Sequence, residues 1–382
     1  MKVLIAIDSF KGSISSRKGS EAIAAGIKDV YPESEILLMP LADGGEGTVE
    51  TLVQVTNGTL IVKEVLGPYR NKVQATYGTL DDGKTAVIEV AEACGLPLVP
   101  NDRRNPLFTT TYGVGELIKD AMDRGCREFV IGLGGSATND AGMGMLQALG
   151  YRFLNEKEKE TGLGGKELKE VYRIDSSNAD SRLKECSFKV ACDVDNPLYG
   201  SEGASHVFGP QKGATSEMIQ QLDEGLKQFS SAAYQMLGEN INDIPGAGAA
   251  GGLGAAFGGF LNGELQSGID LVLEIIEMEK QIQGADFVIT GEGKLDAQTS
   301  RGKAPLGVAR LGKRYDIPVI ALAGSVTEKT GILNGNGITS YFSIVNTPMS
   351  LEEAMNTEVA YKNLKLTANQ LFRLIKSVNN VI

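Results

Sequence analysis

The sequence predicts an α/β protein, in which short apolar strands alternate with amphipathic helices. Strand-to-helix repeats open the chain, and short apolar strands separated by helical stretches return near its end. Several of these strands run directly into small polar turns, as happens where α/β sheets present their ligand edge at the carboxyl ends of the strands. With 382 residues, the chain is long enough for two domains, each with its own core.

The first sixty residues follow a β-α-β-α pattern. Residues 3–7 form a short apolar strand, and residues 16–30 form a helix that places Ile23, Ile27 and Val30 on one face. Pro32 stands just beyond the end of that helix. A second strand at 35–41 and a second helix at 48–55 complete the pattern.

From about residue 60 the pattern changes to antiparallel pairing. We predict strands at residues 60–65 and 72–80. A polar turn at Gly67-Pro68 separates them and another at residues 81–83 follows, which is typical of a hairpin. A second domain would begin here. Its further predicted elements are strands at 86–90 and 188–193, a strand entering a turn from 129, a helix at 113–124 and a charged surface segment at 155–170.

The end of the chain returns to short buried strands, at 287–290, 318–322 and 341–345. It finishes in a helix whose apolar stripe runs from Leu364 to Val378. We therefore expect a discontinuous first domain of residues 1–60 and 286–382, with a mixed-sheet α/β domain of residues 61–285 inserted into it. A cleft between two domains is the default place for an active site.

Composition excludes several classes of protein. The formal net charge of −11, without a Lys/Arg cluster, speaks against a nucleic-acid surface. The single histidine, His206, excludes histidine-rich metal sites and lies near no nucleophile elbow, so Asp, Glu or Lys must supply any base. We read the four cysteines as reduced thiols, and no apolar run reaches membrane-spanning length. We therefore expect a cytoplasmic protein with no membrane partner.

A glycine-rich turn follows the strand that starts at residue 129. Glycines allow close approach of a ligand, and hydroxyl and amide side chains add donors beside a helix that we predict at 143–150. We expect this turn to hold phosphate through Gly134, Gly135, Ser136, Thr138 and Asn139. A purely structural connection is the alternative.

Charged side chains follow the other strands. Ser9 and Lys11 end the first strand, and Asp43, Gly44 and Gly45 follow the second. Lysine can meet a carboxylate or phosphate as a compact cation, whereas the Asp43 segment could equally be ordinary helix capping.

Two later loops combine carboxylates with basic residues. Asp193 ends a buried strand, and the loop at 290–305 holds Glu292, Lys294, Asp296 and Arg301. Phosphoryl transfer needs magnesium ligands, charge neutralisation and a base, and these residue types supply all three. Salt-bridged surface loops would explain either segment as well.

Known nucleotide motifs are absent or misplaced. The Gly-Lys pairs at 293–294 and 302–303 lack the remaining residues of a Walker A loop. GAGAAG at 246–251 matches G-x-G-x-x-G but follows a polar stretch where a dinucleotide fold needs a strand.

Seven segments, in order, resemble the signature segments of the type 1 glycerate kinases over nearly the whole chain. They are IDSFKGS, ADGGEGT, GLGGSATNDAGMG, CDVDNPLYG, GPQKGA, PGAGAAGGLG and ITGEGKLDAQTSRGKAP. The resemblance implies a Rossmann-like or flavodoxin-like domain and a second α/β domain around a central cleft. One departure is Ala141, which stands where the family often has glycine.

The resemblance implies an ATP-dependent kinase of D-glycerate that uses Mg²⁺. Together, the resemblance and the residue patterns give a hypothesis for the role of each candidate residue. We expect the glycine-rich turn to hold the ATP phosphates. Glycerate would be positioned by Ser9, Lys11, Asp43, Gly44, Gly45 and Arg301. Asp193 and Glu292 would hold Mg²⁺, and Asp296, with Asp193 as the alternative, would act as base beside Lys294.

Several alternatives remain open at this point. Bacterial members of the family suggest the 2-hydroxyl as acceptor and a place in glycerate, glyoxylate or sugar-acid catabolism, but the 3-hydroxyl is the alternative. A kinase of another small hydroxy acid, an NAD-dependent dehydrogenase and a catalytically silent sugar-acid sensor are the other candidates. The protein could be a monomer or a homodimer.

Overall fold

The computed structural model describes residues 1–296 and 303–379. Its strands are β1 Lys2–Ile7, β2 Glu35–Leu38, β3 Thr59–Leu66, β4 Lys72–Thr79, β5 Thr85–Glu89, β6 Glu128–Gly132, β7 Arg152–Leu154, β8 Arg173–Asp175, β9 Ser187–Ala191, β10 Glu264–Gln266, β11 Phe287–Leu295, β12 Val319–Val326 and β13 Ile338–Ser343. Its α-helices are α1 Ser16–Lys28, α2 Thr48–Val55, α3 Ala91–Cys94, α4 Tyr112–Asp123, α5 Met143–Ala148, α6 Ala204–Phe208, α7 Ser216–Leu237, α8 Leu253–Ala255, α9 Gly268–Ile275, α10 Met278–Ile282, α11 Ala304–Arg314, α12 Ile332–Gly335, α13 Leu351–Met355 and α14 Thr357–Asn379.

The chain divides into two compact units. Unit 1 comprises Met1–Asp43 and Ile269–Ile382, and unit 2 comprises Gly44–Gly268. The sequence pattern predicts borders near residues 60 and 285. Segment 44–60 belongs to unit 2 because α2 packs against β4 and β5, and α9 joins unit 1 because Gly307 of α11 lies against Ile269 and Leu273.

Unit 1 is built on a five-stranded sheet in the order β13-β12-β11-β1-β2, with every pairing parallel. The interior strand β1, which pairs with β11 and β2, is almost fully buried, as expected for a parallel strand covered on both faces. Helices α1 and α14 pack together over one face, where Ile5 of β1, Ile23 of α1 and Phe372 of α14 share a core. The connections leave β1 and β11 in opposite directions, so the topological switch point lies between these two strands.

Unit 2 is built on a six-stranded mixed sheet in the order β10-β9-β6-β5-β4-β3. Strands β3, β4 and β5 pair antiparallel, whereas β5, β6, β9 and β10 are parallel. The parallel strands therefore end at one common edge. The core of the unit includes Phe129, Phe188 and Phe257, which contact one another as a row of rings.

The α/β class is confirmed, and most predicted elements lie within a few residues of the observed ones. The hairpin of β3 and β4 has the expected antiparallel pairing, and α2 has the expected bounds. Strands β11 and β12 are longer than predicted, because each continues through small and polar residues past its apolar run. β13 begins three residues earlier than the predicted strand at 341 and is only half-buried, which weakens its apolar signal.

In the described part of the chain, no helix combines the length and the apolar character that crossing a membrane requires.

Candidate active site

A cavity of about 610 Å³ opens at the carboxyl edge of the unit 1 sheet. It lies at the ends of β1, β11 and β12, beside the switch point where ligands of open α/β sheets bind. Its charged wall is formed by Asp8, Ser9, Lys11, Glu292, Lys294 and Lys303.

The turn after β1 brings its polar residues to this wall. Phe10 and Ile14 pair with each other, and Gly12 adopts a φ of 76°, so the chain reverses with Lys11 exposed at the tip. The Lys11 ammonium lies 3.5 Å from a carboxylate oxygen of Asp43, which follows β2. Three of the predicted substrate-binding residues, Ser9, Lys11 and Asp43, thus belong to one edge of unit 1.

Asp8 is the most deeply placed carboxyl group of the wall, with 3% of its surface exposed. Its Oδ1 accepts a hydrogen bond of 2.6 Å from the amide of Ser9. Burial, followed by the carboxylates of Asp43 and Glu292, raises the pKa of Asp8 to about 7, against the opposing effects of Lys11 and of the Ser9 amide. Three carboxylates therefore act on one another at this edge of the sheet.

Strand β11 supplies the other half of the charged wall. Glu292 is buried, and its Oε2 lies 3.6 Å from the ammonium of Lys303. The Lys294 ammonium lies 3.2 Å from Oδ2 of Asp296, just past the strand end. Lys294 lines the cavity, whereas Asp296 does not. The predicted binding residue Arg301 lies outside the described residues.

Much of the remaining wall of the cavity is apolar. It comes from the segment before α13 and from α13 itself, chiefly Met349, Leu351 and Met355, with Ile344 and Val345 after β13. A cavity of this volume has the size of a drug-sized ligand's pocket.

Gly44 and Gly45 lie at the carboxyl edge of the unit 2 sheet. A Cβ at Gly44 would come within 2.6 Å of the Ala191 Cβ, and a Cβ at Gly134 would come within 3.2 Å of the Gly45 Cα. The two glycines are thus grouped with the predicted phosphate turn rather than with Lys11. The helix that follows them, α2, has no side-chain cap of its own, and Glu89 at the end of β5 accepts the amide of Val49 at 2.8 Å instead.

The glycine turn, residues 133–139, follows β6 at the same edge. Gly134 and Gly135 are exposed, and their amides donate no hydrogen bond to any described residue. Ser136 is 5% exposed beside them. Exposed backbone donors next to a hydroxyl group make a typical anion site. Helix α5 begins only at Met143, after Gly142 with a φ of 68°, so the helix does not start directly behind the turn.

Thr138 and Asn139 are fully buried within this turn. The Asn139 amide nitrogen donates to Oγ of Ser205 at 3.0 Å, and Thr138 Oγ1 lies 4.0 Å from the Cys94 sulfur. These two contacts hold the buried side of the turn in place. Of the five predicted phosphate ligands, Gly134, Gly135 and Ser136 lie at or near the surface of the turn.

A matching family model, described as the glycerate kinase family, covers residues 3–376. The chain is 50% identical to the glycerate kinase of Bacillus subtilis over 376 residues, which is 98% of both proteins. The chain belongs to the glycerate kinase family. It is also 46% identical to the glycerate 2-kinase of Escherichia coli, over 95% of both chains. A crystal structure assigned to glycerate kinase 2 of Salmonella typhimurium matches all of this chain with a TM-score of 0.91 and 45% identity. Glycerate kinases are enzymes, as the sequence analysis predicts.

Within this glycerate kinase family member, the predicted metal ligands lie in different units. Asp193 is exposed after β9 in unit 2 and accepts the Gly268 amide at 3.0 Å, whereas Glu292 belongs to unit 1. Among the residues described, no three His, Cys, Asp or Glu side chains form a group that could hold a metal. A metal site here would have to use one or two carboxylates together with ligand oxygens.

Two buried residues of the edges were not among the predicted site residues. Asp8 directly follows β1, a position that the sequence shows, but its burial depends on the neighbouring strands. Lys212 is 2% exposed, and its ammonium donates to Ser136 Oγ at 3.0 Å and to the Thr138 carbonyl at 2.6 Å. The only signal for Lys212 in the sequence is its place in the GPQKGA segment.

Proposed function

We propose that the protein catalyses ATP-dependent phosphorylation of D-glycerate, at the 2-hydroxyl, to give 2-phosphoglycerate and ADP. The observation that carries the proposal is the charged wall of the unit 1 cavity, where lysine ammonium groups and buried carboxylates meet at the switch point of a parallel sheet. A small hydroxy acid needs this combination, with cations for its carboxylate and carboxylates for its hydroxyl groups. The similarity to a protein named glycerate 2-kinase supports the choice of hydroxyl group.

In this proposal, the turn after β1 binds glycerate. Lys11 pairs with the glycerate carboxylate, and Ser9 and Asp43 bond its hydroxyl groups. The ion pair of Lys11 with Asp43, 3.5 Å long, holds the lysine near the site without neutralising it in a close contact. Arg301 keeps its proposed role as a second cation for the substrate.

Three carboxylates are candidates for the base that orients the accepting hydroxyl. Asp296, with Asp193 as its alternative, is the base expected from the sequence, and Oδ2 of Asp296 lies 3.2 Å from the Lys294 ammonium. Asp8 is favoured by a different observation, because it lines the cavity while Asp296 does not.

The phosphoryl donor, ATP, is proposed to place its phosphates on the glycine turn of unit 2. The free amides of Gly134 and Gly135 and the Ser136 hydroxyl are the donors, while Thr138 and Asn139 shape the turn. The backbone at Gly44 and Gly45 packs beside this turn, so we reassign these two residues from glycerate to the phosphate region.

Carboxylate oxygen atoms suit Mg²⁺, which usually takes one or two protein carboxylates and completes its shell with water and phosphate. Asp43 and Glu292 both act electrostatically on the buried Asp8, so this edge offers the negative field that a cation needs. We propose Glu292 and Asp193 as the residues that would hold Mg²⁺. When bound, the ion would neutralise charge on the transferred phosphoryl group.

The proposal is tested by ADP release from Mg²⁺-ATP with D-glycerate, L-glycerate, lactate and no acceptor. We expect ADP release with D-glycerate well above the release with the other acids. ADP release with only one of the other hydroxy acids would identify that acid as the substrate in place of D-glycerate. No release with any acid, despite glycerate binding, would favour the sensor, and reduction of NAD would favour a dehydrogenase.

A further inference from the structure

A buried lysine lies directly against the glycine turn, in a part of the chain to which no role has been given. Lys212 ends a short helical turn, Pro210–Lys212, and Gly213 follows it with a φ of 86°. A Cβ at Gly213 would lie 2.4 Å from the carbonyl oxygen of Arg104, so this segment is packed tightly. The loop holds the lysine side chain in a fixed place.

The Lys212 ammonium is buried without a carboxylate partner. It forms no ion pair within the described residues, and its two acceptors are the Ser136 hydroxyl and the Thr138 carbonyl. The nearby buried carboxylate of Asp140 is already bonded by the amide and hydroxyl of Thr111. A buried charge without a close counter-charge is costly to the folded state, so its retention suggests that a bound anion supplies the partner.

The lysine also fixes the direction of the Ser136 hydroxyl. Because an ammonium group can only donate, the Ser136 oxygen must accept from Lys212. The hydroxyl proton of Ser136 has no acceptor among the described residues. It is therefore available to a ligand at the turn, next to the amides of Gly134 and Gly135.

We propose that Lys212 is a positioning residue of a polyphosphate site: its ammonium turns the Ser136 hydroxyl into a donor toward the bound phosphate and supplies the site with positive charge. This inference rests on the proposed phosphate role of the glycine turn. It assigns Lys212 no contact with the glycerate.

Burial lowers the pKa of Lys212 to about 8, and the groups that face it, Cys94 and Asp140, act in the opposite direction. The ammonium is therefore still largely protonated near neutral pH. A bound phosphate would favour the protonated form further.

The test is calorimetric titration of the full-length protein with inorganic tripolyphosphate and, separately, with ATP. Lys212→Met removes the charge at nearly constant volume, and Ser136→Ala removes the hydroxyl. Lys227→Met is the matched control, since Lys227 is exposed on α7. We expect Lys212→Met to weaken binding of both ligands about tenfold or more, the loss typical of a charge-assisted hydrogen bond. The control should bind both ligands normally.

A structural role and a positioning role differ in two further readouts. The first is the melting temperature: a structural role would couple the loss of affinity to unfolding, whereas a positioning role predicts weakened binding in a Lys212→Met protein that is still folded at the titration temperature, even though the variant leaves the Thr138 carbonyl without its donor. The second readout is a double variant that carries both Lys212→Met and Ser136→Ala. If Lys212 acts through Ser136, this double variant should bind tripolyphosphate about as weakly as Lys212→Met alone. Should Lys212→Met fail to fold, Lys212→Gln is expected to show the same loss of affinity.

Equal tripolyphosphate affinity in Lys212→Met and wild type would overturn the inference, as would a wild type that does not bind tripolyphosphate. The proposed function fails separately. A protein that binds tripolyphosphate through Lys212 but releases no ADP with D-glycerate would refute glycerate phosphorylation and leave the role of Lys212 standing.

Discussion

Lys11 stands at the tip of the turn after β1, where its ammonium is more than half exposed and only loosely paired with Asp43. Removing an exposed lysine with one 3.5 Å ion pair should change stability little. The Lys11→Ala variant should instead lose glycerate binding, with a KM raised about tenfold or more and a kcat that changes much less.

Steady-state kinetics with varied D-glycerate checks this prediction. Lys18→Ala is the control, because Lys18 is an exposed lysine of the neighbouring helix α1. An unchanged KM in Lys11→Ala would remove Lys11 from the substrate site.

The base can be identified by comparing Asp296→Asn with Asp8→Asn. Each substitution keeps the shape of the side chain and removes its ability to take a proton. Loss of a general base lowers turnover by about 10²- to 10⁴-fold, so one variant should lose turnover on that scale while its melting temperature changes little.

Turnover and melting temperature should be measured for both variants and for Asp195→Asn, an exposed aspartate in the loop after β9. Near-normal turnover in Asp296→Asn would exclude that residue, and near-normal turnover in Asp8→Asn would exclude the other. If both variants keep near-normal turnover, neither residue is the base, and the same measurement on Asp193→Asn tests the remaining candidate.

At the scale of the element, α2 illustrates how a strand end supports a neighbouring helix. The helix begins after Gly47 with no side-chain cap, and the buried carboxyl group of Glu89 takes the amide of Val49 at 2.8 Å. Glu89→Ala should therefore lower the free energy of unfolding by about 1–2 kcal/mol, as loss of a helix cap does. Glu89→Gln, which retains an oxygen acceptor, should cost less.

The pH dependence of stability gives a second readout for Glu89. Burial raises its pKa from 4.5 to about 7, although the amides of Val49, Gly47 and Thr48 oppose the shift. Between these values the folded protein holds a proton that the unfolded chain has lost, so the contribution of Glu89 to stability falls as pH rises from about 4.5 through 7.

Chemical denaturation at pH 5 and pH 8 tests this. From pH 5 to pH 8, the free energy of unfolding of Glu89→Gln should rise relative to that of wild type. The free energy of unfolding of Glu50→Gln, at an exposed position of α2, should keep the same difference from wild type at both pH values. Parallel pH profiles for wild type and Glu89→Gln would contradict the assignment.

The elements of both units were largely predictable because their signals are local. The apolar run of β1, the amphipathic face of α1 and the turn-bounded hairpin of β3 and β4 all lie within short windows of sequence. Short β10 was not predicted, since its three residues form a strand only by pairing with β9, about seventy residues earlier. Ala141 shows a similar limit: its φ of 54° explains why glycine suits that position, yet no local pattern reveals it.

At the scale of the whole molecule, the sequence predicts which strand ends carry polar residues but not which of them lie close together. Lys212 reaches Ser136 across 76 positions of the chain, and such a contact has no local signature. Gly44 and Gly45 directly follow Asp43, yet they lie in unit 2 while Asp43 lies in unit 1. The border falls inside a motif that the sequence presents as one segment.

The assignment to the glycerate kinase family concerns the whole chain, because the matched region spans residues 3–376 and therefore includes both units. We propose that the charged cavity of unit 1 binds the acceptor of the kinase reaction and that the glycine turn of unit 2 binds the donor. The central claim is that the product carries its phosphate on the 2-hydroxyl.

The most direct test supplies the protein with Mg²⁺-ATP and D-glycerate, adds enolase alone, and follows phosphoenolpyruvate by absorbance while ADP is measured in parallel. Enolase accepts 2-phosphoglycerate, so the account predicts that phosphoenolpyruvate appears together with ADP and without added phosphoglycerate mutase. ADP release with no phosphoenolpyruvate until mutase is added would contradict it and show that the 3-hydroxyl is the acceptor.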